Sequence, residues 1–245
     1  MFVQGDKVGN VYFKRRMRTF KKLQSTIVFY VVESECFFCV QHNFCFDNRV
    51  LYWYIVLRED SIGFIKIDHF RDGSAERFRQ DYLACRHLPY LILNLEDNGG
   101  GLQENVNDIA TSLVGHDVLL ENIPVRCDSA LRYTGKIFVL MNTFTASAAE
   151  CLVACLKGQS NVTVIGQRSA GDCGSWAYNF RTRHGLEFKL ATRPPFLLPD
   201  GKTLSEGMGI TPDIETRVSL PWEKEESLAQ TLTLIWRDKH EWAGN

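Results

Sequence analysis

From residue 54 onward the chain alternates between short apolar runs and amphipathic stretches. Residues 54–57 and 62–67 read as two strands around a charged turn, Arg58-Glu59-Asp60-Ser61. Residues 74–85 have the period of a helix, with Phe78, Tyr82, Leu83 and Cys85 facing inward. Pro89 ends that stretch. Residues 90–95 form a continuous apolar run, the pattern of a strand covered on both faces. Gly99-Gly100-Gly101 follows closely. Residues 106–114 read as a second helix and 137–141 as a second buried strand. A helical segment over 151–156 and a strand over 162–166 come next. Lys157-Gly158 marks the helix end between them. This strand–helix–strand alternation predicts an α/β core. A β-rich stretch is expected after it, at 176–180 and 186–192, with His184-Gly185 as a hairpin tip and a turn at Pro199-Asp200-Gly201. Pro221 opens a final amphipathic helix with Leu228, Leu232 and Ile235 on one side. Residues 1–55 are aromatic and β-prone and carry no motif. The expected organisation is therefore an N-terminal segment of unassigned fold, 1–55, followed by one unit over 56–237.

Composition narrows the classes. The 245 residues carry a net charge of −1 and are 45% apolar, enough for one large domain or two small ones with a sizeable core. Charge so close to zero gives no support for nucleic-acid binding. No apolar run is long enough to span a bilayer as a helix. Basic residues at Lys14-Arg15-Arg16-Met17-Arg18 and Lys21-Lys22 precede an apolar run at 27–32, in loose imitation of a signal peptide. That apolar run is short, Glu33 and Glu35 follow at once, and no small-residue cleavage site is present. A solvated basic segment leading into a strand, in a cytoplasmic protein, is the expectation. The eight cysteines then read as free thiols in a reducing compartment. Cys36, Cys39, His42 and Cys45 are ligand-type residues, but their spacing fits no common zinc module, and the intervening Phe37, Phe38, Val40 and Phe44 suggest a buried strand. No metal and no organic cofactor are expected.

The chemistry-bearing stretch is Thr145-Ala146-Ser147-Ala148-Ala149-Glu150, between the apolar run 136–142 and the helical run 151–156. A serine at a strand-to-helix turn sits at the positive end of the helix, where the next backbone N–H groups can hold an oxyanion. Ser147-x-x-Glu150 also satisfies the pattern of a helix capping box, so a purely structural role explains the same residues. Three other punctuated segments accompany it. Residues 91–101 are a strand ending in a glycine turn. Val164-Ile165-Gly166-Gln167-Arg168-Ser169-Ala170-Gly171 is a strand and loop. Glu206-Gly207-Met208-Gly209-Ile210-Thr211-Pro212-Asp213 is a glycine-rich turn that leaves a carboxylate in place.

In order and spacing, these segments, over 54–236, resemble the S41 family of serine peptidases, which includes the C-terminal processing (tail-specific) proteases and the catalytic domain of the tricorn protease. The resemblance implies an α/β fold of the crotonase-like (ClpP/crotonase) type, a mixed sheet-and-helix core with a β-rich C-terminal portion. Ser147 matches the family nucleophile, and the N–H groups of Ala148 and Gly100 match its oxyanion donors. Processing proteases of the serine–lysine type carry a lysine just after the glycine that corresponds to Gly171. This chain has Asp172 there, too weak a base for that role, so a Ser–Lys dyad at that position is excluded. The tricorn-like branch uses serine, histidine and glutamate. Glu206 fits its Glu-Gly-x-Gly-x-x-Pro-Asp setting, and His69, after the Gly63-Phe64-Ile65 strand, is the base candidate, with Lys66 as the alternative base. Taken alone, His69 reads as a surface histidine and Glu206 as a solvated turn acid; His87, His116, His184 and His240 have the same surface reading. The resemblance implies a serine endopeptidase that needs no cofactor and acts on peptides or unfolded protein. It leaves the oligomeric state open. Two alternatives stand beside it: a non-catalytic module of the same fold that binds a retinoid- or lipid-like ligand, as in the interphotoreceptor retinoid-binding protein, and a catalytically degenerate homologue.

Overall fold

The apolar runs become parallel neighbours in one sheet, and their order along the chain is their order in space. The structure, a computed structural model, describes residues 7–8, 11–12, 31–32, 36–41, 54–57, 62–120, 123–172, 177–191, 196–197, 203–204, 206–217 and 226–242. The strands are β1 Lys7–Val8, β2 Val11–Tyr12, β3 Val31–Val32, β4 Cys36–Gln41, β5 Tyr54–Leu57, β6 Ile62–Lys66, β7 Tyr90–Asn94, β8 Val118–Leu120, β9 Ile123–Val125, β10 Lys136–Met141, β11 Val162–Gly166, β12 Ala177–Arg181, β13 Glu187–Ala191, β14 Phe196–Leu197, β15 Thr203–Leu204 and β16 Ile214–Glu215. The helices are α1 Ser74–Cys85, α2 Gln103–Leu113, α3 Ala148–Leu156 and α4 Glu226–Trp242.

Eight strands form one sheet in the order β16-β11-β10-β7-β6-β5-β4-β3. From β6 to β16 every neighbouring pair is parallel, and from β6 to β3 every pair is antiparallel. A parallel pair needs a crossover: α1 lies between β6 and β7, α2 and the β8–β9 pair between β7 and β10, α3 between β10 and β11, and strands β12–β15 between β11 and β16. Period-two alternation sends the two sides of each strand to different cores. Ile65, Leu91, Leu93, Val139 and Met141 pack with residues of α1, α2 and α3. Ile62, Phe64, Ile92, Phe138 and Leu140 pack with Leu232 and Ile235 of α4. The strands are covered on both faces, which is why they read as continuous apolar runs.

Helix α3 is the most enclosed element. All nine of its residues are buried, so it has no polar face and no amphipathic stripe for a periodic reading to detect. Helix α1 behaves more conventionally. Phe78, Tyr82 and Cys85 are buried, but Leu83, expected to face inward, is 48% exposed. At 100° per residue, Leu83 is turned away from the stripe that Phe78 and Tyr82 define. Helix α2 begins at Gln103, three residues earlier than its apolar period suggests. The hairpin β8–β9 was not anticipated; it pairs Val118 with Val125. The 36–41 run is a strand paired with β5. His42, Cys45, Cys173, the 199–201 turn and Pro221 lie outside the described residues. His87, His116 and His184 are exposed, in keeping with the surface reading. No helix among the described residues is long and apolar enough to cross a membrane.

Because β6, β7, β10 and β11 run the same way, their C-terminal ends share one edge. Ligand sites in open parallel sheets form at that edge. There the chain presents His69 after β6, the glycine turn after β7, Ser147 after β10 and the 169–171 loop after β11.

Candidate active site

Ser147 is the residue immediately before α3, with φ 55° and ψ −124°. Among the described residues only Asp97 is another non-glycine with positive φ. An L-residue held in this region is strained by about 1–3 kcal/mol, and such strain persists only where the surroundings impose it. They do so here. Thr145, fully buried, donates its Oγ1 to the Leu95 carbonyl at 2.9 Å and accepts the Asn142 N–H at 3.0 Å. Ala146 N–H reaches the Asn98 carbonyl at 2.9 Å. Ser147 N–H donates to Glu150 Oε2 at 3.1 Å, which is the glutamate half of the capping box the sequence suggests. The Ser147 turn is thereby tied to the end of β7 on one side and to its own helix on the other. The Ala148 N–H, at the first position of α3, has no intrahelical acceptor and makes no hydrogen bond among the described residues. It is available to an oxyanion.

The glycine turn lies against Ser147. Gly100 has φ 96°, and a Cβ placed on it would come within 2.7 Å of Ser147 Cβ and 2.9 Å of both the Ala146 carbonyl oxygen and the Ala148 nitrogen. Only glycine permits that approach. Gly100→Ala is therefore expected to push the Ser147 turn out of place. Its stability loss, about 1–3 kcal/mol from overpacking and positive φ, should be measurable by denaturant titration and accompanied by slower reaction at Ser147. The Gly100 N–H is not open to a substrate as expected. It donates to Asn98 Oδ1 at 2.8 Å inside the turn.

Asn98 is the organising residue that the sequence reading passed over. Its side chain is 0% exposed. Nδ2 donates to the Ile67 carbonyl at 2.8 Å, Oδ1 accepts from Gly100, and its backbone oxygen accepts from Ala146. One buried amide thus joins the ends of β6, β7 and β10. Its signal in the sequence was its place just before three glycines.

His69 is half-buried on the other side of the same turn. The backbone beside it is laced to the turn: Phe70 N–H donates to the Gly100 carbonyl at 3.0 Å and Leu102 N–H to the Phe70 carbonyl at 2.6 Å. A Cβ on Gly99 would stand 4.0 Å from His69 Cε1, as Gly100 stands beside Ser147. The turn therefore has His69 at one residue and Ser147 at the next. No hydrogen bond joins the ring to Ser147 among the described residues. The imidazole makes no hydrogen bond to any other of these residues either.

Lys66 is placed differently. It alternates with Ile65 and Ile67, whose side chains pack with α1–α3, and so it faces the α4 side of the sheet. Its ammonium pairs with Asp68 Oδ1 at 3.1 Å. Nearby Glu96 has its carboxyl pushed up, chiefly by burial, with hydrogen bonds from Ser227 and Asn94 and the charge of Lys66 opposing that shift. Asp172 is exposed. Glu206 is also exposed, on the 206–208 turn, and no hydrogen bond or ion pair links it to His69 among the described residues. The turn itself is held close to the site, with Gly207 N–H donating to the Gly171 carbonyl at 2.7 Å.

The two cysteines of α3 do not compete for the role of nucleophile. Cys151 and Cys155 lie in α3, and burial pushes both thiols up to about 12, so neither is a thiolate near neutrality. Among the described residues no three His, Cys, Asp or Glu side chains converge as metal ligands would.

The model of peptidase family S41 matches residues 61–216. Carboxy-terminal processing protease CtpA of Bacillus subtilis is 27% identical over 175 residues, covering 67% of this chain and 37% of that protein. A carboxy-terminal-processing protease of Bartonella bacilliformis is 25% identical over 189 residues, covering 71% of this chain and 43% of that protein. The chain thus spans less than half the length of these curated relatives. Among solved structures, the photosystem II D1 C-terminal processing protease aligns with a TM-score of 0.53 at 19% identity, over 83% of this chain and 58% of its own. Mature CPAF complexed with lactacystin aligns with a TM-score of 0.57 at 14% identity, over 81% of this chain and 53% of its own. At these identities the two structures speak for the fold, a mixed α/β arrangement around a parallel central sheet.

Proposed function

The chain belongs to peptidase family S41, and from that premise we propose that it is a serine endopeptidase whose nucleophile is Ser147. The observation that carries the reading is the strained Ser147, held at the N-terminus of α3 with Gly100 packed against it. A substrate carbonyl is attacked by Ser147 Oγ. His69 accepts the hydroxyl proton and later delivers it to the leaving amine. Ala148 N–H and the positive end of α3 hold the oxyanion. Gly100 N–H is the second donor, once it exchanges Asn98 Oδ1 for the substrate oxygen. The His69 ring beside Gly99, without a hydrogen bond among the described residues, supports the base assignment, and the pairing of Lys66 with Asp68 on the α4 side of the sheet counts against Lys66. Peptides or unfolded protein are the proposed substrates, added as a strand to an exposed sheet edge. A crotonase-type core with a β-rich C-terminal portion is the finer fold assignment that accompanies this reading.

Glu206 takes the third place on the strength of the family pattern: its turn would bring the carboxylate to the His69 ring when substrate binds. Glu206→Gln should then lower kcat by roughly 10³–10⁴-fold, with stability changed by no more than about 0.5 kcal/mol. A variant that keeps wild-type kcat reduces the machinery to Ser147 and His69.

The solvated position of Glu206 favours a second reading, a non-catalytic homologue that binds without cleaving. A serine-directed fluorophosphonate probe separates the two. Stoichiometric labelling mapped to Ser147 by peptide mass spectrometry, and absent in Ser147→Ala, is the expected result. An unlabelled wild-type protein would leave the binding reading in its place.

A further inference from the structure

Glu150 does more than a helix cap requires. A capping-box glutamate has only to return to its own N-cap N–H. Glu150 is 0% exposed, and both of its oxygens are in use. Oε2 accepts the Ser147 N–H at 3.1 Å. Oε1 accepts the Ser169 hydroxyl at 2.5 Å and the Gly171 N–H at 2.9 Å. Among the described residues no lysine, arginine or histidine pairs with it. Its charge is met by three donors and by its place in the first turn of α3.

The Oε1 partners lead to the turn that carries Glu206. Ser169 Oγ accepts the Ile210 N–H at 2.6 Å, and Ser169 N–H donates to the Ile210 carbonyl at 3.1 Å. Gly171 accepts from Gly207 at 2.7 Å. Gly171 also packs so closely on this turn that a Cβ there would lie 2.8 Å from the Gly209 nitrogen. Capping accounts for the Ser147 bond alone. It leaves the Ser169 and Gly171 bonds without a purpose.

We propose that Glu150 is a positioning residue: one buried carboxylate fixes the Ser147 turn and the Glu206-bearing turn relative to each other. The inference deepens the peptidase reading and rests on it for its catalytic consequence. Its geometric content is independent of that reading. Ser147 keeps its strained backbone because its N–H is held from below, and the held carboxylate is itself held by the 169–171 loop. Loosening the far end of this chain of bonds should therefore be felt at Ser147.

Two variants of the full chain test this. Glu150→Gln is nearly isosteric but offers one acceptor oxygen and one NH₂ group to three donors, so at least one donor must face another donor. Ser169→Ala leaves the Glu150–Ser147 bond and the Ser169–Ile210 backbone bond in place and removes the hydroxyl that joins Glu150 Oε1 to the Ile210 N–H. Amide hydrogen exchange is followed in the segments 145–150 and 206–210, alongside kcat and KM for an unfolded-protein substrate and a thermal melt. We expect Glu150→Gln to speed exchange in both segments. Ser169→Ala should speed exchange in 206–210 and also in 145–150, although the Ser147 bond itself was not touched. In both, kcat should fall by about 10- to 100-fold, the effect of losing one hydrogen bond to a charged group, with KM unchanged. Faster exchange confined to 145–150 in Glu150→Gln, together with wild-type exchange at 145–150 and wild-type kcat in Ser169→Ala, would overturn the proposal and leave Glu150 a cap. If Glu150→Gln does not fold, Ser169→Ala decides alone. If the wild-type protein hydrolyses no peptide, the peptidase reading fails and the exchange pattern still decides the coupling.

Discussion

Ser147→Ala should abolish peptide hydrolysis, lowering kcat by about 10⁵–10⁶-fold, because without the Oγ no covalent intermediate can form. The residual rate comes from binding and the oxyanion donor alone. Stability should move little. The Ser147 N–H bond to Glu150 is a backbone bond that alanine keeps, and loss of a cap hydroxyl costs about 1 kcal/mol. A third residue at this position makes the prediction sharper. With φ 55° and ψ −124°, the backbone sits where glycine is comfortable and any L-residue is strained. Ser147→Gly should be as inactive as the alanine variant, yet more stable than it by about 1 kcal/mol, read as a higher midpoint in denaturant. A glycine variant less stable than the alanine variant would mean that Ser147 stores no strain. Wild-type turnover in either variant would remove Ser147 from the mechanism.

The second large effect belongs to His69. A general base at a serine must accept its proton in the transition state, and loss of that base costs nearly as much as loss of the nucleophile. His69→Ala should lower kcat by about 10⁴-fold or more and slow fluorophosphonate labelling of Ser147 in parallel. Lys66→Ala is the control. Its ammonium pairs with Asp68 and lies on the α4 side of the sheet, so the variant should turn over within a few-fold of wild type. If Lys66→Ala is inactive and His69→Ala is active, the roles are exchanged.

Part of the fold and of the site is local and legible in the chain. The runs at 90–94, 136–141 and 162–166 are mostly apolar because both faces of the parallel sheet are covered, and they appear as strands in the expected order. Ser147 before a helix and a glycine turn after a strand are likewise patterns of neighbouring residues. So is the capping pair Ser147 and Glu150, of which the Glu150 half is present. Helix α3 shows where locality stops. Its nine residues are all buried, so its sequence carries no stripe to say what it packs against.

What the chain alone determined was the type and order of its elements, since hydrogen-bonding period and side-chain alternation are set within a few residues. What only the tertiary structure decided was which polar groups are already spent. Gly100 looks like a free N–H until its turn folds and Asn98, two residues back, takes it. Lys66 stands as the alternative base to His69 until the sheet assigns one face to α3 and the other to α4. Glu150 reads as a cap until the chain brings Ser169, 19 residues on, and Gly171, 21 residues on, to its second oxygen. The last of these outcomes depends on donors and an acceptor that meet only through packing. A buried polar group takes whatever partner the fold delivers, because leaving it unpaired costs more than any local preference.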